Sequence, residues 1–310
     1  MGRDLKTWMR ILLLAVGIAF LLGIALHSSQ TIGAYLATSN LWILALSIVI
    51  GAAGYVVSGS VFHHYLTKFG EPSTSAQGRR ILLLSQLVKY VPGKIWSLVY
   101  QSAALRGIHS AEAVIFANVD LLLLFLVMVG GISFALVSWP VHPWLALPVL
   151  GATLVVFIRL TNVCLLHSLA GKFRRLSRRL SGPPGACRWQ GGLRPPLFWF
   201  FLHGACYTVA HMLFLHTVFG MSVQEASLYT AYLGFAWIAG VMSMVVPGGL
   251  GVKEVVFIML AQMFGATADF ETLLAIAVIS RLWVIGQELV CAAWVPIESL
   301  YLAFFDRSGK

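Results

Sequence analysis

Long apolar stretches alternate with short polar stretches along most of the chain. Six of them are near or above the roughly 20 residues that a helix needs to cross a bilayer. They lie at about 10–26, 40–62, 112–138, 144–166, 197–219 and 273–303. Two further apolar stretches, about 81–105 and 227–264, are interrupted by Pro92-Gly93 and by Pro247-Gly248-Gly249. The pattern predicts an all-α, polytopic integral membrane protein with about six full spans and two broken-helix hairpins, which together form one transmembrane domain over residues 1–310.

Composition supports a bilayer as the solvent of this chain. Hydrophobic residues make up 59% of the sequence and charged residues 10%, with a mean hydropathy of +0.87. Soluble domains carry roughly 25% charged residues. The first apolar stretch follows Arg3, Lys6 and Arg10, as a signal peptide would, but no small-x-small cleavage site follows it. We therefore expect an uncleaved first helix.

The distribution of Lys and Arg predicts the topology. We place the N-terminus in the cytoplasm and let each broken helix return to its own side. Sixteen Lys and Arg residues then lie on the inner side. The outer loops 27–39, 139–143, 220–226 and 265–272 contain none. This satisfies the positive-inside rule. A full crossing of 81–105 would instead place the basic loop, about 167–195, outside. The charges thus predict a multi-pass protein of the cell inner (cytoplasmic) membrane with both termini cytoplasmic and two re-entrant hairpins.

Broken backbone at membrane depth points to a cavity. Such backbone is tolerated only where it is buried in protein or lines a water-filled cavity. The second arm of each hairpin then presents a helix N-terminus, which favours an anion such as phosphate. Opposed hairpins in the two halves predict an inverted repeat, a common plan in transporters. The alternative is that the two breaks are only structural kinks.

Charged residues near the two breaks define the candidate site. A charge at this depth costs at least about 2.5–3.5 kcal/mol, so each should be paired or face a cavity. We expect a ligand-facing cluster, while structural pairing, for example of Lys253 with Asp120 or of Glu288 with Arg281, stays open. The predicted substrate-binding residues are Lys89, Tyr90, Pro92, Gly93, Lys94, Asp120, Pro247, Gly248, Gly249, Gly251, Lys253, Glu254 and Arg281.

Two motifs carry a resemblance to a known family. The run KYVPGKIWSLVYQSAALRG at 89–107, and VPGGLGVKE at 246–254 followed by SRLW at 280–283, resemble the lysylphosphatidylglycerol synthase transmembrane-region family. This family includes the flippase domain of the multiple peptide resistance factor and stand-alone relatives. The resemblance covers roughly residues 10 to 303. Family members often carry a Glu-Arg pair shortly before an aspartate; here those places read Phe116-Ala117, and only Asp120 fits.

The resemblance implies lipid translocation rather than enzymatic chemistry. We expect a flippase-like transporter that moves an anionic or lipid-linked headgroup, of a phospholipid or a glycolipid, across the membrane. Two alternatives remain open: a membrane-embedded transferase with Glu254 or Asp120 as base, and a non-catalytic scaffold for an envelope-lipid synthase. The expected partners are membrane lipids and a cytosolic or membrane enzyme of lipid synthesis; a homo-oligomer stays open.

Other chemistry has little support in the sequence. The four cysteines show no paired spacing, and no nucleotide-binding loop, nucleophile elbow or zinc-protease helix occurs. We therefore expect no catalytic residues, no metal and no cofactor. The basic loop is typical of an anchor on anionic lipid. Because topology accounts for the net charge of +10, we expect no nucleic-acid partner.

Overall fold

The computed structural model describes residues 29–69, 74–88, 96–140, 142–162, 194–243, 249, 251–265 and 268–308. Across these residues the regular structure is helical, and no strand occurs. Ten helices follow one another in the described part of the chain. They are α1 (Ser29–Thr38), α2 (Leu41–Phe69), α3 (Ser75–Val88), α4 (Trp96–Ala104), α5 (Ala111–Ser138), α6 (Pro143–Asn162), α7 (Arg194–Phe219), α8 (Val223–Met242), α9 (Val252–Met263) and α10 (Phe270–Ser308).

Five of the described helices are long and apolar enough to cross a membrane. These stretches are Leu41–Thr67, Ala111–Ser138, Pro143–Leu160, Leu197–Phe219 and Phe270–Glu298. They correspond to five of the six spans expected from hydropathy, and they confirm the all-helical membrane class. The expected first span, 10–26, lies outside the described residues.

Large apolar side chains cover the outside of the bundle. Trp42 is 87% exposed and Leu147 is 70% exposed, and Phe198, Met259 and Ile297 are also more than half exposed. An apolar surface of this extent is unfavourable in water, whereas lipid tails solvate it. The described part of the chain is therefore a membrane-embedded helical bundle.

Two clusters of buried side chains hold the bundle together. One joins α7, α8, α9 and α10 and includes Phe214, Tyr232, Phe257, Ile276 and Trp283. The other joins α2, α3, α5, α6 and α7 and includes Phe62, Tyr65, Leu124, Phe157 and Phe200. Because α7 contributes to both, it connects the two halves of the core.

A buried chain of polar side chains positions α4 between α3 and α5. The amide nitrogen of Gln101 donates to the Ser85 hydroxyl at 2.8 Å, and the amide nitrogen of Asn118 donates to the Gln101 oxygen at 2.6 Å. Gln101 is 1% exposed, so both halves of its amide are satisfied inside the protein. This network fixes the two helices that flank the first predicted break. The break itself, around Pro92-Gly93, lies outside the described residues.

Two segments that were expected to be outer loops are helical. The polar start of 27–39 predicts a loop, but α1 forms there, because Tyr35 packs on Phe219 and its hydroxyl is 3.0 Å from that of Thr272. Residues 220–226 also predict a loop, but α8 begins at Val223. Ser222 and Glu225 form a capping box, which satisfies N–H groups at that helix start.

The helices that flank the second break differ in length. At 1.5 Å per residue, the 20 residues of α8 span about 30 Å, whereas the 12 residues of α9 span about 18 Å. The hydrocarbon core is roughly 30 Å thick, so α9 is too short to cross it. The two helices pack against each other, and α9 also packs against α10.

Candidate functional site

Gly249, which lies between α8 and α9, packs directly on the backbone of α8. Gly249 has φ +68°, a backbone conformation that residues other than glycine rarely adopt. A Cβ atom on Gly249 would lie 3.0 Å from both the Cα and the carbonyl oxygen of Gly240. Gly249 can approach the backbone of Gly240 this closely because it lacks a side chain.

The first turn of α9 brings two charged residues to this place. Gly251, with φ +79°, precedes the helix and supplies no side-chain cap. Lys253 and Glu254 follow in the first turn, where a carboxylate is favoured by the positive end of the helix dipole. The aliphatic part of Lys253 lies against Gly240, so closely that a side chain on Gly240 would clash with it.

Glu254 and Arg281 form a buried ion pair. The Arg281 Nε donates to Glu254 Oε1 at 2.7 Å, and the two side chains are 11% and 7% exposed, respectively. The pair joins the start of α9 to the interior of α10. The second carboxylate oxygen, Oε2, is buried and has no hydrogen-bond partner in the described part of the chain.

A cavity of about 100 Å³ lies beside this pair. Its wall is made by α7, α8, α9 and α10. The lining residues are His211, Leu233, Ala236, Trp237, Lys253, Glu254, Phe257, Ala277, Ser280, Arg281 and Val284. Most of the wall is apolar, while two cations and one carboxylate leave it with a formal charge of +1. A mostly apolar wall with a few convergent polar groups is typical of a ligand site.

His211 faces this cavity in a fixed tautomer. Its Nδ1 is 2.8 Å from the carbonyl oxygen of Tyr207, which can only accept, so Nδ1 carries the proton. The other ring nitrogen, Nε2, is then the acceptor. The ring also packs edge-on against Trp283, at 4.7 Å between centroids, and Trp283 is itself held by a 2.8 Å hydrogen bond to Ser47. The imidazole is thus held by the Tyr207 carbonyl and the Trp283 ring, and Ser47 fixes that ring in turn.

The structure brings together only part of the predicted site. Lys253, Glu254 and Arg281 line one cavity. Gly249 and Gly251 shape the turn that leads to it but do not line it, and Asp120 is buried on α5 away from the lining. The described residues of α3 and α4 contribute no side chain to the wall. The predicted residues Lys89, Tyr90, Pro92, Gly93, Lys94, Pro247 and Gly248 lie outside the described residues.

Several cavity residues could not be identified as such from the sequence by residue type alone. His211, Trp237 and Ser280 each stand in an apolar helix, and Gly240 is one glycine among 29. Two of them could have been identified by their position in the sequence, since Gly240 lies on the helix before the break and Ser280 is the neighbour of Arg281. His211 has no comparable signal, since two other histidines share its helix.

No family model, curated protein or solved structure matches this chain. The family resemblance based on the two motifs therefore stays a prediction. Among the described residues no group of three His, Cys, Asp or Glu side chains could hold a metal ion. The chemistry of the site has to be inferred from its own geometry.

Proposed function

We propose that the protein is a flippase-like transporter that moves a phosphate-bearing lipid headgroup across the cytoplasmic membrane. In this proposal the chain is a relative of the lysylphosphatidylglycerol synthase transmembrane region. Both termini and the basic loop 167–195 lie in the cytoplasm, as the Lys and Arg distribution predicts.

One observation carries the proposal: a buried Glu254–Arg281 pair and Lys253 line a cavity inside an apolar bundle. Ionisable groups inside a membrane protein are costly and commonly mark a substrate path. A purely structural ion pair would need no cavity beside it. The start of α9 adds N–H groups and a positive dipole end, which favour a phosphate.

The proposal treats both broken helices as re-entrant hairpins of an inverted repeat. The 12-residue length of α9 supports this for the second hairpin, because α9 ends before it can cross the core. The nine residues of α4 span about 14 Å, which supports it for the first. Irregular backbone at this depth is stable where it lines a cavity.

In the transport step, the headgroup enters the cavity while its acyl chains stay in lipid. Lys253 offsets the negative charge of the phosphate. Glu254 holds Arg281 in place and, as a carboxylate, weakens phosphate binding enough for release. The apolar wall formed by Leu233, Phe257 and Val284 keeps the cavity narrow.

Reconstitution into liposomes tests this function. The purified full chain is compared with empty liposomes, using phospholipids that carry a fluorophore on one acyl chain and dithionite as the external quencher. Transport raises the quenched fraction above one half at a rate that depends on protein density. If no phospholipid moves, and a soluble donor is consumed instead, the chain is a transferase. If neither occurs, it is a scaffold, and the transport proposal is wrong.

A further inference from the structure

The unsatisfied oxygen of Glu254 restricts which headgroup fits the cavity. Glu254 Oε1 accepts from Arg281, and Oε2 is buried without a hydrogen-bond partner in the described residues. An unpaired buried acceptor is unfavourable, and a charged one more so. A ligand that brings a donor to Oε2 would therefore bind better than one that does not.

We propose that the cavity binds a headgroup in which an ammonium with at least one N–H lies next to a phosphodiester, as in an ethanolamine phospholipid. The ammonium donates to Glu254 Oε2, and the phosphodiester contacts Lys253. This inference rests on the proposed function and names its substrate class.

The geometry of the carboxylate allows this contact. Glu254 lines the cavity, but its Oε2 is buried, so the contact needs a rotation of the carboxylate that is small enough to keep Oε1 within reach of Arg281; the broad terminal torsion of a glutamate side chain allows such a rotation. Arg281 holds Oε1 and so leaves Oε2 as the acceptor for the ligand. His211, whose Nε2 is also an acceptor, lines the same cavity and favours a donor-bearing ligand too.

The size and charge of the cavity fit the same headgroup. A volume of about 100 Å³ holds several water molecules, which is suited to a small headgroup rather than to an oligosaccharide. The wall carries both signs of charge, with Lys253 and Glu254 adjacent in sequence on one helix turn. A zwitterionic group with neighbouring phosphate and ammonium matches this arrangement, since each charge meets its opposite.

A series of methylated ligands tests the donor requirement on the native protein. Binding to the full chain in detergent is measured for glycerophosphoethanolamine, its N-methyl and N,N-dimethyl derivatives, and glycerophosphocholine. Only the last lacks an N–H group. We expect similar Kd values for the first three and a Kd about tenfold or more higher for the fourth, since a hydrogen bond to a charged group is lost. Equal Kd values for all four, or a steady rise with each methyl group, would overturn the proposal. Inorganic phosphate binding as tightly as glycerophosphoethanolamine would overturn it as well.

A pair of variants assigns the effect to Glu254. In the Glu254→Gln protein we expect the first three ligands to bind as weakly as glycerophosphocholine. Glu271→Gln, an exposed acid in the first turn of α10, should keep the native difference. If Glu254→Gln still bound the three N–H ligands more tightly than glycerophosphocholine, Glu254 would not be the acceptor of the ammonium. If Glu254→Gln does not fold, the ligand series on the native protein decides.

The transport assay separates this inference from the function on which it rests. If the ligand series shows the expected step but no lipid moves in liposomes, the ammonium site stands and transport is wrong. If lipids move at the same rate whether or not the headgroup carries an N–H, transport stands and the ammonium site is wrong.

Discussion

Arg281 Nε and Glu254 Oε1 lie 2.7 Å apart inside the bundle and tie the start of α9 to α10. The two residues are 27 positions apart in sequence, and Glu254 follows Gly249 by five positions. It therefore couples α9 to α10, and because the pair is neutral overall, the formal +1 of the cavity wall is the charge of Lys253.

Removing one partner of this pair should destabilise the protein. In Arg281→Gln the carboxylate stays buried without its cation, and breaking a buried pair in this way typically costs about 3–5 kcal/mol. The double variant Glu254→Gln/Arg281→Gln should recover a large part of that loss, because no uncompensated charge remains. Thermal unfolding in detergent measures both variants. Arg106→Gln, at an exposed position, serves as the control and should differ from the native protein by less than about 0.5 kcal/mol. A double variant no more stable than Arg281→Gln would contradict this explanation.

Because Gly249 contacts Gly240, substitution of Gly249 by alanine should destabilise the protein more than the same substitution at Gly220. Gly249 and Gly220 have φ +68° and +64°, so alanine at either position adopts a left-handed conformation that costs about 1–2 kcal/mol. Only at Gly249 would the new Cβ also press on the backbone of Gly240; at Gly220 it would meet nothing within 4 Å. We expect Gly249→Ala to lower the unfolding temperature clearly more than Gly220→Ala does. Equal losses would show that the close approach has no energetic role.

The capping box at the start of α8 should give the protein a small acid-sensitive contribution to stability. Hydrogen bonds from the hydroxyl and backbone of Ser222 lower the pKa of Glu225 below its usual 4.5. Since the folded pKa is the lower one, the stabilisation is present above pH 4.5 and is lost as the pH falls through the folded value. Ser222→Ala should raise this pKa and destabilise the protein by about 1 kcal/mol at neutral pH. Its unfolding temperature should then fall less on acidification than that of the native protein.

Ser138→Ala is the matched control for that experiment. Its hydroxyl donates to the carbonyl oxygen of Phe134, and no carboxylate takes part. The pH dependence of unfolding should be unchanged in this variant. An identical pH profile for Ser222→Ala and the native protein would mean that the capping box does not act in the folded state.

The topology is tested by labelling single cysteines from outside intact cells. In a cysteine-free background, Leu180→Cys should stay unlabelled by a membrane-impermeant maleimide, because the basic loop is expected in the cytoplasm. Val141→Cys, in an expected outer loop, should be labelled. Labelling of position 180 before permeabilisation would overturn the topology and the two re-entrant hairpins with it.

The spans were predictable because lipid imposes a simple rule on sequence. A helix that crosses the core must be apolar over about 20 residues, so α2, α5, α6, α7 and α10 are visible in the hydropathy pattern. Helix α1 was not visible, because its ten residues mix polar and apolar types and it is held by the distant partners Phe219 and Thr272. Short helices fixed by tertiary contacts leave no comparable signature in sequence.

The site could be predicted only where charged residues lie within apolar segments of the sequence. Lys253, Glu254 and Arg281 are conspicuous for that reason, and the cavity brings them together. The partner of Glu254 was left open by the sequence, since several charges were near enough in principle. His211 and Gly240 could not be assigned, because histidine and glycine are common in such helices and their roles depend on packing across helices.

Lipid movement by the Glu254→Gln protein tests the central claim most directly. The native chain, Glu254→Gln and the exposed control Glu271→Gln are reconstituted at equal density, and the initial rate of movement of an acyl-labelled ethanolamine phospholipid is measured. We expect Glu271→Gln to match the native rate, and Glu254→Gln, folded as judged by its elution and melting, to move lipid at least about tenfold more slowly. A folded Glu254→Gln protein that moves lipid at the native rate would show that the cavity beside α9 is not the transport path.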